Sequence, residues 1–275
     1  MSAVIVTDGL GNQMFQYALY LAMRAKGRRP LLSTSIISRC IMHNGFELCR
    51  DFGIDHATMA VIDGGRMMGR MTRRITRQMK WLCYLEDETA FSEAVFTTRK
   101  PLVYGFWQNI RYFQDIEHEV RKTFTFRGID ESNMQLVREI SACNSVSIHI
   151  RRGDYLNYPE YAVCTPDYYQ RAIALIKERV DTPMFYLFSD DLEWSDTFLG
   201  SLDIPYKVMR HNRGADNYKD MFLMTQCRHN ILANSSFSWW GAWLGEQAER
   251  QVVCPATWNL KSVKIHPQLE QWVKI

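Results

Sequence analysis

The chain has 275 residues, 47% hydrophobic and 23% charged, an ordinary globular composition that excludes a disordered, collagen-like or coiled-coil protein. Lys and Arg number 33 against 30 Asp and Glu, and the resulting net charge of +3 is too small to indicate nucleic acid or a membrane surface as the partner. Seven cysteines without a Cys-x-x-Cys pair predict free thiols in a reducing compartment.

No apolar run approaches the roughly 18 residues of a membrane span, and the first residues do not resemble a signal peptide, so we expect a soluble, cytoplasmic protein. One basic segment, residues 66–80, has no acidic residue and is interleaved with methionine. As an amphipathic helix it would lie on anionic lipid, a peripheral contact at the inner face of the membrane. The alternative, which charge runs usually indicate, is a solvated helix face. The sequence says nothing about the oligomeric state.

The beginning of the chain predicts a β-α-β unit. An apolar run at 3–7 predicts a strand, which stops at a glycine-containing loop at 8–12. Apolar residues then recur at helical spacing until Gly27, and residues 30–33 restart an extended segment. We predict no strand order or topology for residues 36–100. Residues 102–107 predict a strand that leads into a ligand-facing loop.

The second half alternates strands with helices, which predicts a mostly parallel sheet covered on both faces. The predicted strands are 146–150, 184–188, 206–209, 231–233 and 252–254, and the predicted helices are 167–180, 217–227 and 236–249. The segment 133–144 is the candidate boundary, giving domains 1–140 and 141–275. Two α/β halves with a ligand cleft between them are therefore expected.

The first of three unusual strand-to-loop junctions is DGLGNQMFQY at 8–17. Gly9 and Gly11 permit a close backbone approach to a ligand, and the following helix offers unpaired N–H groups. The motif lacks the third glycine of a dinucleotide fingerprint and the Lys-Ser/Thr of a P-loop. A tight structural turn explains the glycines equally well.

The second junction is HIRRGDY at 149–155. Strand alternation directs Arg151 and Arg152 differently, one toward a ligand and one toward a local partner such as Asp154. A guanidinium matches phosphate oxygens and neutralises a diphosphate leaving group without a metal. The alternative is that both arginines form surface salt bridges. His149 either bonds the ligand or is a satisfied core residue.

The third junction is NSSFSWWGAWL at 234–244. Ser235 and Ser236 stand between a strand and a helix, where hydroxyl and N–H groups hold phosphate or simply cap the helix. The three tryptophans favour core packing. Asp190 and Asp191 follow another strand, and the chain has no Asp-x-Asp motif, so no divalent-metal site is expected.

These motifs together resemble one family, the inverting α-1,2-fucosyltransferases of glycosyltransferase family 11 in their bacterial, anchor-free form. The resemblance spans most of the chain and adds YGFWQNIRYF at 104–113 and FSDD at 188–191 to the three junctions. It departs at Asp8, where a glycine is common. It implies an α/β, GT-B-like fold of two Rossmann-like domains, and metal-free transfer of fucose from GDP-β-L-fucose to the 2-hydroxyl of a terminal galactose.

The resemblance also implies residue roles. Arg151 would bind the departing β-phosphate as the catalytic group, and Asp220 would accept hydrogen bonds from guanine. The other residues implied on the donor side are Gly11, Asn12, Gln13, His149, Arg152, Asp190, Ser235, Ser236 and Phe237. No cofactor besides the donor is expected.

The remaining roles stay open. Asp154, Glu160 and Asp8 are each candidates for the base that receives the acceptor proton, and Asp154 also has the plainer role of bridging to its arginines. Tyr104, Trp107, Gln108 and Asn109 would supply an aromatic platform and hydrogen bonds for the acceptor sugar, and core packing is the alternative for Trp107. Competing functions are another GDP-fucose-dependent linkage and a non-catalytic carbohydrate-binding protein. The natural acceptor, an O-antigen unit, a capsular repeat or a free oligosaccharide, is not fixed.

Overall fold

The computed structural model describes residues 2–37, 44–54, 61–62, 80–87, 90–247, 249–261 and 267–275. They form two compact units, Met1–Gly128 and Ile129–Ile275, called here the first and second units. Except for the backbone of Lys80, the predicted basic segment 66–80 lies outside the described residues, and its contact with lipid stays a prediction. No helix in the described ranges is long and apolar enough to cross a bilayer.

The first unit contains a five-stranded sheet whose pairings are all parallel. Its strands are β1 (Ala3–Ile5), β2 (Leu31–Ser33), β3 (Val61–Ile62), β4 (Cys83–Leu85) and β5 (Leu102–Tyr104). Their order across the sheet is β3-β2-β1-β5-β4. The apolar run after Ser2 thus becomes the central strand of this sheet.

The helices of the first unit are α1 (Leu10–Ala25), α2 (Leu48–Phe52), α3 (Ala94–Thr97) and α4 (Glu117–Thr123). The α1 helix is buried almost along its whole length. Its aromatic side chains explain this burial, because Phe15 packs on Phe113 and Tyr17 on Phe124, with ring centroids 6.1 and 6.2 Å apart. Burial on this scale fixes the start of α1 against the end of β1.

The second unit contains a six-stranded sheet that is also parallel throughout its described pairings. Its strands are β6 (Asn144–Ile150), β7 (Pro183–Ser189), β8 (Tyr206–Val208), β9 (His229–Ile231), β10 (Val252–Cys254) and β11 (Val273–Lys274). The strand order is β11-β10-β9-β6-β7-β8. The predicted α/β class with two Rossmann-like sheets is confirmed.

Helices cover both faces of this second sheet. They are α5 (Glu131–Ser141), α6 (Pro166–Arg179), α7 (Leu192–Gly200), α8 (Tyr218–Gln226) and α9 (Ser236–Trp243). The side chains of β7 alternate between two cores: Phe185 and Leu187 pack with α6 and α7, whereas Tyr186 and Phe188 pack with α5 and α8. The sequence run is apolar because both faces of the strand are buried.

The structure corrects several predicted boundaries. The helix predicted at 236–249 ends at Trp243, and Gly245 two residues later lies so close to Arg250 that a Cβ would be 2.3 Å from that guanidinium. The strands predicted at 102–107 and 231–233 end at Tyr104 and Ile231. The chain divides at 128 rather than at 140, because α5 buries Leu136 and Ile140 in a core of the second unit.

Candidate active site

The sequence motifs gather where the strand order of each sheet reverses. In a parallel sheet, the loops at the carboxyl ends of the two strands flanking such a reversal diverge and leave a crevice for ligand. The reversal lies between β1 and β5 in the first unit and between β6 and β9 in the second. The motifs at 8–17 and 104–113 meet at the first of these switch points, and those at 149–155 and 234–244 meet at the second.

Arg151 follows the last residue of β6 and is held by two carboxylates. Its Nη2 lies 2.7 Å from Asp154 Oδ1, and its Nε lies 3.2 Å from Asp190 Oδ2. The guanidinium also stands over the Tyr155 ring, 5.4 Å from its centroid. The Arg151 side chain remains 28% exposed, so a fixed positive charge is accessible to a ligand at this switch point.

Both arginines of this motif form ion pairs, which is the alternative raised from the sequence, and Arg152 pairs with a carboxylate of its own. Its Nε pairs with Asp191 at 3.1 Å, and its guanidinium lies 3.7 Å from the centroid of the Trp194 ring. Its backbone N–H donates to Asp190 Oδ1 at 2.8 Å. Gly153 is required here, because a Cβ at this position would lie 2.6 Å from Asp190 Oδ2. Asp190, predicted on the donor side, therefore holds both arginines: it contacts the side chain of Arg151 and the backbone N–H of Arg152.

His149 is buried beneath this loop. Burial, helped by the charge of Arg151, lowers the pKa of His149 to about 3, so its imidazole is neutral at physiological pH. Its ring faces Phe237 at 5.8 Å. Its Nδ1 has no hydrogen-bond partner among the residues that the structure describes. The chain thus brings the neutral imidazole of the second motif beside Phe237 of the third.

The serine-containing loop continues from β9 into α9. Ser235 is the N-cap residue of α9, and its Oγ accepts from the Phe237 N–H at 3.3 Å, so its predicted capping role is present. Ser236 is the first residue of the helix and is partly exposed. Tyr155 ties the two loops together, because its hydroxyl donates to the Asn234 carbonyl at 3.1 Å. The three tryptophans of α9 are buried in the core, as expected.

Asp220 lies in the first turn of α8, a helix that begins at the carboxyl edge of the sheet. Asn212 Nδ2 donates to Asp220 Oδ1 and to Asn133 Oδ1, both at 2.8 Å. Burial raises the pKa of Asp220 to about 7, against the opposing effect of the Asn212 hydrogen bond. The neighbouring Lys219 is paired with Asp130 at 2.8 Å. Asp220 thus stands at this edge without a cationic partner in its described contacts.

The carboxylates considered as bases have other partners. Asp154 pairs with Arg151, which is the bridging role weighed against catalysis. Glu160 lies 3.0 Å from Lys261, and a hydrogen bond from its own backbone N–H together with Lys261 lowers the pKa of this carboxyl. A lowered pKa makes Glu160 a weaker base. Within the described part of the chain, no group of three or more His, Cys, Asp or Glu is placed to hold a metal ion.

Neutral amides dominate the switch point of the first unit. Gln13 is fully buried; it donates to the carbonyls of Asp8 and Gly45 and accepts from the Glu47 N–H. Gln13 is therefore an anchor between loops rather than an exposed donor contact. Gly11 lies in the first turn of α1 and is buried. Asn12 is partly exposed, and its Oδ1 accepts from Gln108 Nε2 at 2.7 Å.

The predicted acceptor residues divide into two groups. Trp107 is fully buried, packing edge-on against Tyr112 at 5.3 Å, so the core-packing alternative describes it and its ring is not an exposed sugar platform. Tyr104, Gln108 and Asn109 are partly exposed at the carboxyl end of β5. These three residues remain available to a ligand.

Sequence reasoning missed two residues that build this site. Gln16 is buried and bonds Thr7 with both ends of its amide while donating to the Gly105 carbonyl at 3.1 Å. Glu86 accepts from two backbone N–H groups of the 105–109 loop. Gln16 had a signal, since a glutamine among the apolar residues of α1 requires buried partners. Glu86 had none, because it lies in a stretch to which no topology was assigned.

Comparisons with known proteins agree with these motifs. The sequence profile of glycosyl transferase family 11 matches residues 86–275. The chain is 34% identical to an α-1,2-colitosyltransferase of Escherichia coli, covering 100% of this chain and 99% of that one. It is 30% identical to the O-antigen biosynthesis glycosyltransferase WbnK of Escherichia coli, covering 98% and 99%.

Among solved structures, the chain is similar to the α-1,6-fucosyltransferase NodZ, an enzyme from Bradyrhizobium that has been co-crystallised with GDP. The TM-score is 0.52 at 14% sequence identity, covering 87% of this chain and 90% of that one. At this identity the likeness concerns the fold alone. It confirms the predicted GT-B-like fold class.

Proposed function

The chain belongs to glycosyltransferase family 11, and from that membership we propose that it moves L-fucose from GDP-β-L-fucose to the 2-hydroxyl of a terminal galactose, with inversion. One observation carries the proposal: the partly exposed Arg151 side chain, held by two carboxylates, stands at the switch point of the second sheet. An arginine fixed in this way suits the diphosphate of a nucleotide sugar.

The reaction breaks the bond between the anomeric carbon and the β-phosphate oxygen. The electron pair leaves with GDP, and negative charge grows on the β-phosphate as the sugar gains oxocarbenium character. Arg151 stabilises that charge more in the transition state than in the ground state, because Asp154 and Asp190 orient it before the reaction begins. The acceptor oxygen attacks from the opposite face, which turns the β-linked donor into an α-linked product.

The donor would lie along the edge that carries His149, Ser236 and Asp220. The neutral His149 accepts or donates a hydrogen bond without adding charge, and Ser236 at the start of α9 presents its hydroxyl and N–H to phosphate. Asp220, when ionised, accepts from guanine N1–H and the exocyclic amine, a pattern that adenine does not offer. The proposed specificity for GDP rests on that carboxylate.

The acceptor would lie against Tyr104, Gln108 and Asn109 of the first unit. Its 2-hydroxyl proton must leave as the new bond forms. Among the candidate bases, Asp154 and Glu160 are engaged in ion pairs, which favours a reaction that draws little help from a strong base. A highly dissociative transition state has this property, since the proton is lost late.

A specific relative favours a second donor. The α-1,2-colitosyltransferase is 34% identical over the whole chain, and colitose is the 3-deoxy counterpart of L-fucose. The two donors differ in one hydroxyl. A site that hydrogen-bonds the 3-hydroxyl rejects the deoxy sugar by about 10⁴-fold, whereas an apolar pocket discriminates by about 10²-fold or less. The ratio of kcat/KM for the two GDP-sugars therefore decides between the donors.

The test of the proposed function measures sugar transfer from each GDP-sugar to a galactoside, with and without a chelator. Purified protein is incubated with GDP-fucose or GDP-colitose and lactose, GDP release is followed, and the product linkage is determined by NMR. We expect an α-1,2 product and undiminished rate in EDTA. A different linkage would assign another GDP-fucose-dependent activity, and GDP-sugar binding without transfer would assign a carbohydrate-binding protein. A rate that depends on added Mn²⁺ would contradict the metal-free account.

Acceptor panels then address the biological context. WbnK is named for O-antigen biosynthesis, and we propose a bacterial glycan repeat unit with terminal galactose as the natural acceptor. Comparing lipid-linked repeat units with free oligosaccharides tests this choice. Co-sedimentation with anionic vesicles tests the proposed membrane contact of residues 66–80.

A further inference from the structure

Glu86, at the end of β4, binds the backbone of the loop that follows β5. Its Oε2 accepts from the Phe106 N–H at 2.6 Å and from the Trp107 N–H at 2.8 Å. Its own backbone N–H donates to the Tyr104 carbonyl at 2.9 Å. One side chain thus fixes two successive peptide groups of the loop, while its main chain fixes the strand before them.

The loop needs such a restraint because its backbone is strained. Trp107 has φ of 60°, in the left-handed region that a bulky residue rarely adopts. The two N–H groups that immediately precede this strained Cα, those of Phe106 and Trp107, both donate to one carboxylate oxygen. Gly105 makes the approach possible, since a Cβ there would lie 2.4 Å from Glu86 Cβ. Gly105, the Glu86 carboxylate and Trp107 therefore act together to fix the turn of this loop.

The position of the residues after Trp107 depends on this turn. The Asn109 N–H donates to the Trp107 carbonyl at 2.8 Å, and Gln108 donates to Asn12 at 2.7 Å. On the other side of the strained residue, Gln16 donates to the Gly105 carbonyl. Gln108 and Asn109 are partly exposed at the switch point of the first sheet. Their placement depends on the turn that Glu86 holds.

We propose that Glu86 is a positioning residue for the acceptor: by binding two successive amides around the left-handed Trp107, it holds Gln108 and Asn109 in the arrangement that binds the sugar. This rests on the proposed function, in which those two amides contact the acceptor. Glu86 itself touches no substrate in this assignment. Its effect reaches the reaction only through the loop.

The negative charge of Glu86 gives the assignment a sharp test. A carboxylate oxygen accepts hydrogen bonds about twice as strongly as a neutral oxygen, and Glu86→Gln keeps the size and reach of the side chain. The variant therefore weakens two bonds without opening a cavity. We expect the acceptor KM for lactose to rise about tenfold and the KM for the GDP-sugar to stay within about twofold. Glu93→Gln, at an exposed glutamate just before α3, is the matched control and should leave both values unchanged.

Backbone hydrogen exchange measures the loop directly. Peptides covering residues 102–109 should exchange faster in Glu86→Gln than in the wild type or in Glu93→Gln. A loss of active protein or of kcat at unchanged acceptor KM would mean that Glu86 is merely structural, and it would overturn the proposal. So would a change in donor KM alone, or unchanged exchange in the loop.

The failure of the proposed function is distinguishable from the failure of this assignment. If the wild type transfers no sugar from either GDP-sugar, the proposed function fails. Lactose binding, followed by NMR line broadening, and the exchange rates of the loop then still decide the role of Glu86. Equal lactose affinity in the wild type and Glu86→Gln would overturn the assignment, and weaker affinity with faster loop exchange would support it.

Discussion

The two switch points of this protein hold their loops by different chemistry. In the first unit, Gln13 and Gln16 are buried amides whose hydrogen bonds go to backbone groups and a threonine hydroxyl. In the second unit, Arg151 and Arg152 are held by ion pairs, and both side chains stay partly exposed. The first set of loops is held by buried amides and by the Glu86 carboxylate, whereas the second is held by ion pairs of two partly exposed arginines.

The difference matches the two ligands of the proposed function. A sugar acceptor has no charge, and exposed amides such as those of Gln108 and Asn109 bind hydroxyls as both donors and acceptors. A nucleotide diphosphate needs permanent positive charge, which must be oriented without being fully neutralised. Partial exposure of Arg151 between two carboxylates meets that need. The predictions below test each side of this contrast in turn.

The largest effect is expected from Arg151→Ala, which removes the charge proposed to stabilise the leaving group. Because the group is already oriented, its loss should lower kcat by about 10² to 10³. The measurement is GDP release in the presence of acceptor, with folding checked by circular dichroism. Arg152→Ala should cost much less, since its guanidinium is occupied by Asp191 and Trp194. Near-normal turnover in Arg151→Ala would place the leaving phosphate elsewhere.

The buried amides of the first unit are tested by stability rather than by rate. Gln16→Leu leaves the Thr7 N–H and the Gly105 carbonyl without their buried partner, and we expect a loss of about 3 kcal/mol in the free energy of unfolding. Urea denaturation measures the change. Gln114→Leu, at an exposed glutamine of the same unit, should stay within about 0.5 kcal/mol of the wild type. Equal losses in both variants would remove the special role of Gln16.

The charged side also predicts a pH dependence for nucleotide binding. Asp220 has a pKa of about 7, so the ionised form that would receive guanine falls to about one tenth near pH 6. Free GDP should therefore bind about tenfold more weakly at pH 6 than at pH 8, as measured by calorimetry. In Asp220→Asn this dependence should fall to the part that ionisation of the terminal phosphate of GDP contributes. His211 lies on the same hydrogen-bond network, and burial lowers its pKa, so His211→Gln should keep the dependence.

An unaltered pH profile in Asp220→Asn would assign the titration to another group. If His211→Gln lost the pH dependence, the titration would belong to the imidazole of His211. The expected direction of the change in GDP affinity argues against that group. A histidine that loses charge as pH rises would weaken the binding of an anionic nucleotide at high pH, whereas the Asp220 account strengthens it. The direction of the change thus separates the two groups before any variant is made.

The sequence predicted most of the sheet-forming segments because long apolar runs are buried on both faces. β6 and β7 illustrate this, each predicted within two residues at either end. The β4 strand escaped prediction: it has three residues, two of them only partly buried, so neither alternation nor an apolar run is visible. The α7 helix was also missed, since only Ser195 and Leu199 of its side chains are buried.

Contacts of the candidate site were predicted where the partners are local in sequence and missed where they depend on long-range contact. Arg151 and Asp154 are three residues apart, and an ion pair between Asp154 and one of its neighbouring arginines was expected. The second partner of Arg151 is Asp190, which reaches it because β6 and β7 are neighbours in register. Glu86 and Trp107 come together for the same reason through β4 and β5. Strand order, which the motifs do not encode, decides such contacts.

The smallest expected effect concerns Asp8, whose backbone lies in the left-handed region. Asp8 has φ of 65°, a conformation that glycine adopts without strain and aspartate at a moderate cost. Asp8→Gly should therefore raise the free energy of unfolding by about 0.5 kcal/mol, because relief of strain slightly exceeds the greater freedom of glycine in the unfolded chain. Asp8→Ala, which has a Cβ but no polar side chain to bond locally, should be less stable than the wild type.

Denaturant midpoints rank the three proteins, and an Asp8→Gly protein less stable than Asp8→Ala would contradict the strain argument.

The Asp8→Gly variant also answers a question about mechanism, because Asp8 is one of the candidate bases. Transfer at the wild-type rate in Asp8→Gly would remove Asp8 from that list. Since Asp154 and Glu160 are engaged in ion pairs, the acceptor proton would then leave without a dedicated strong base.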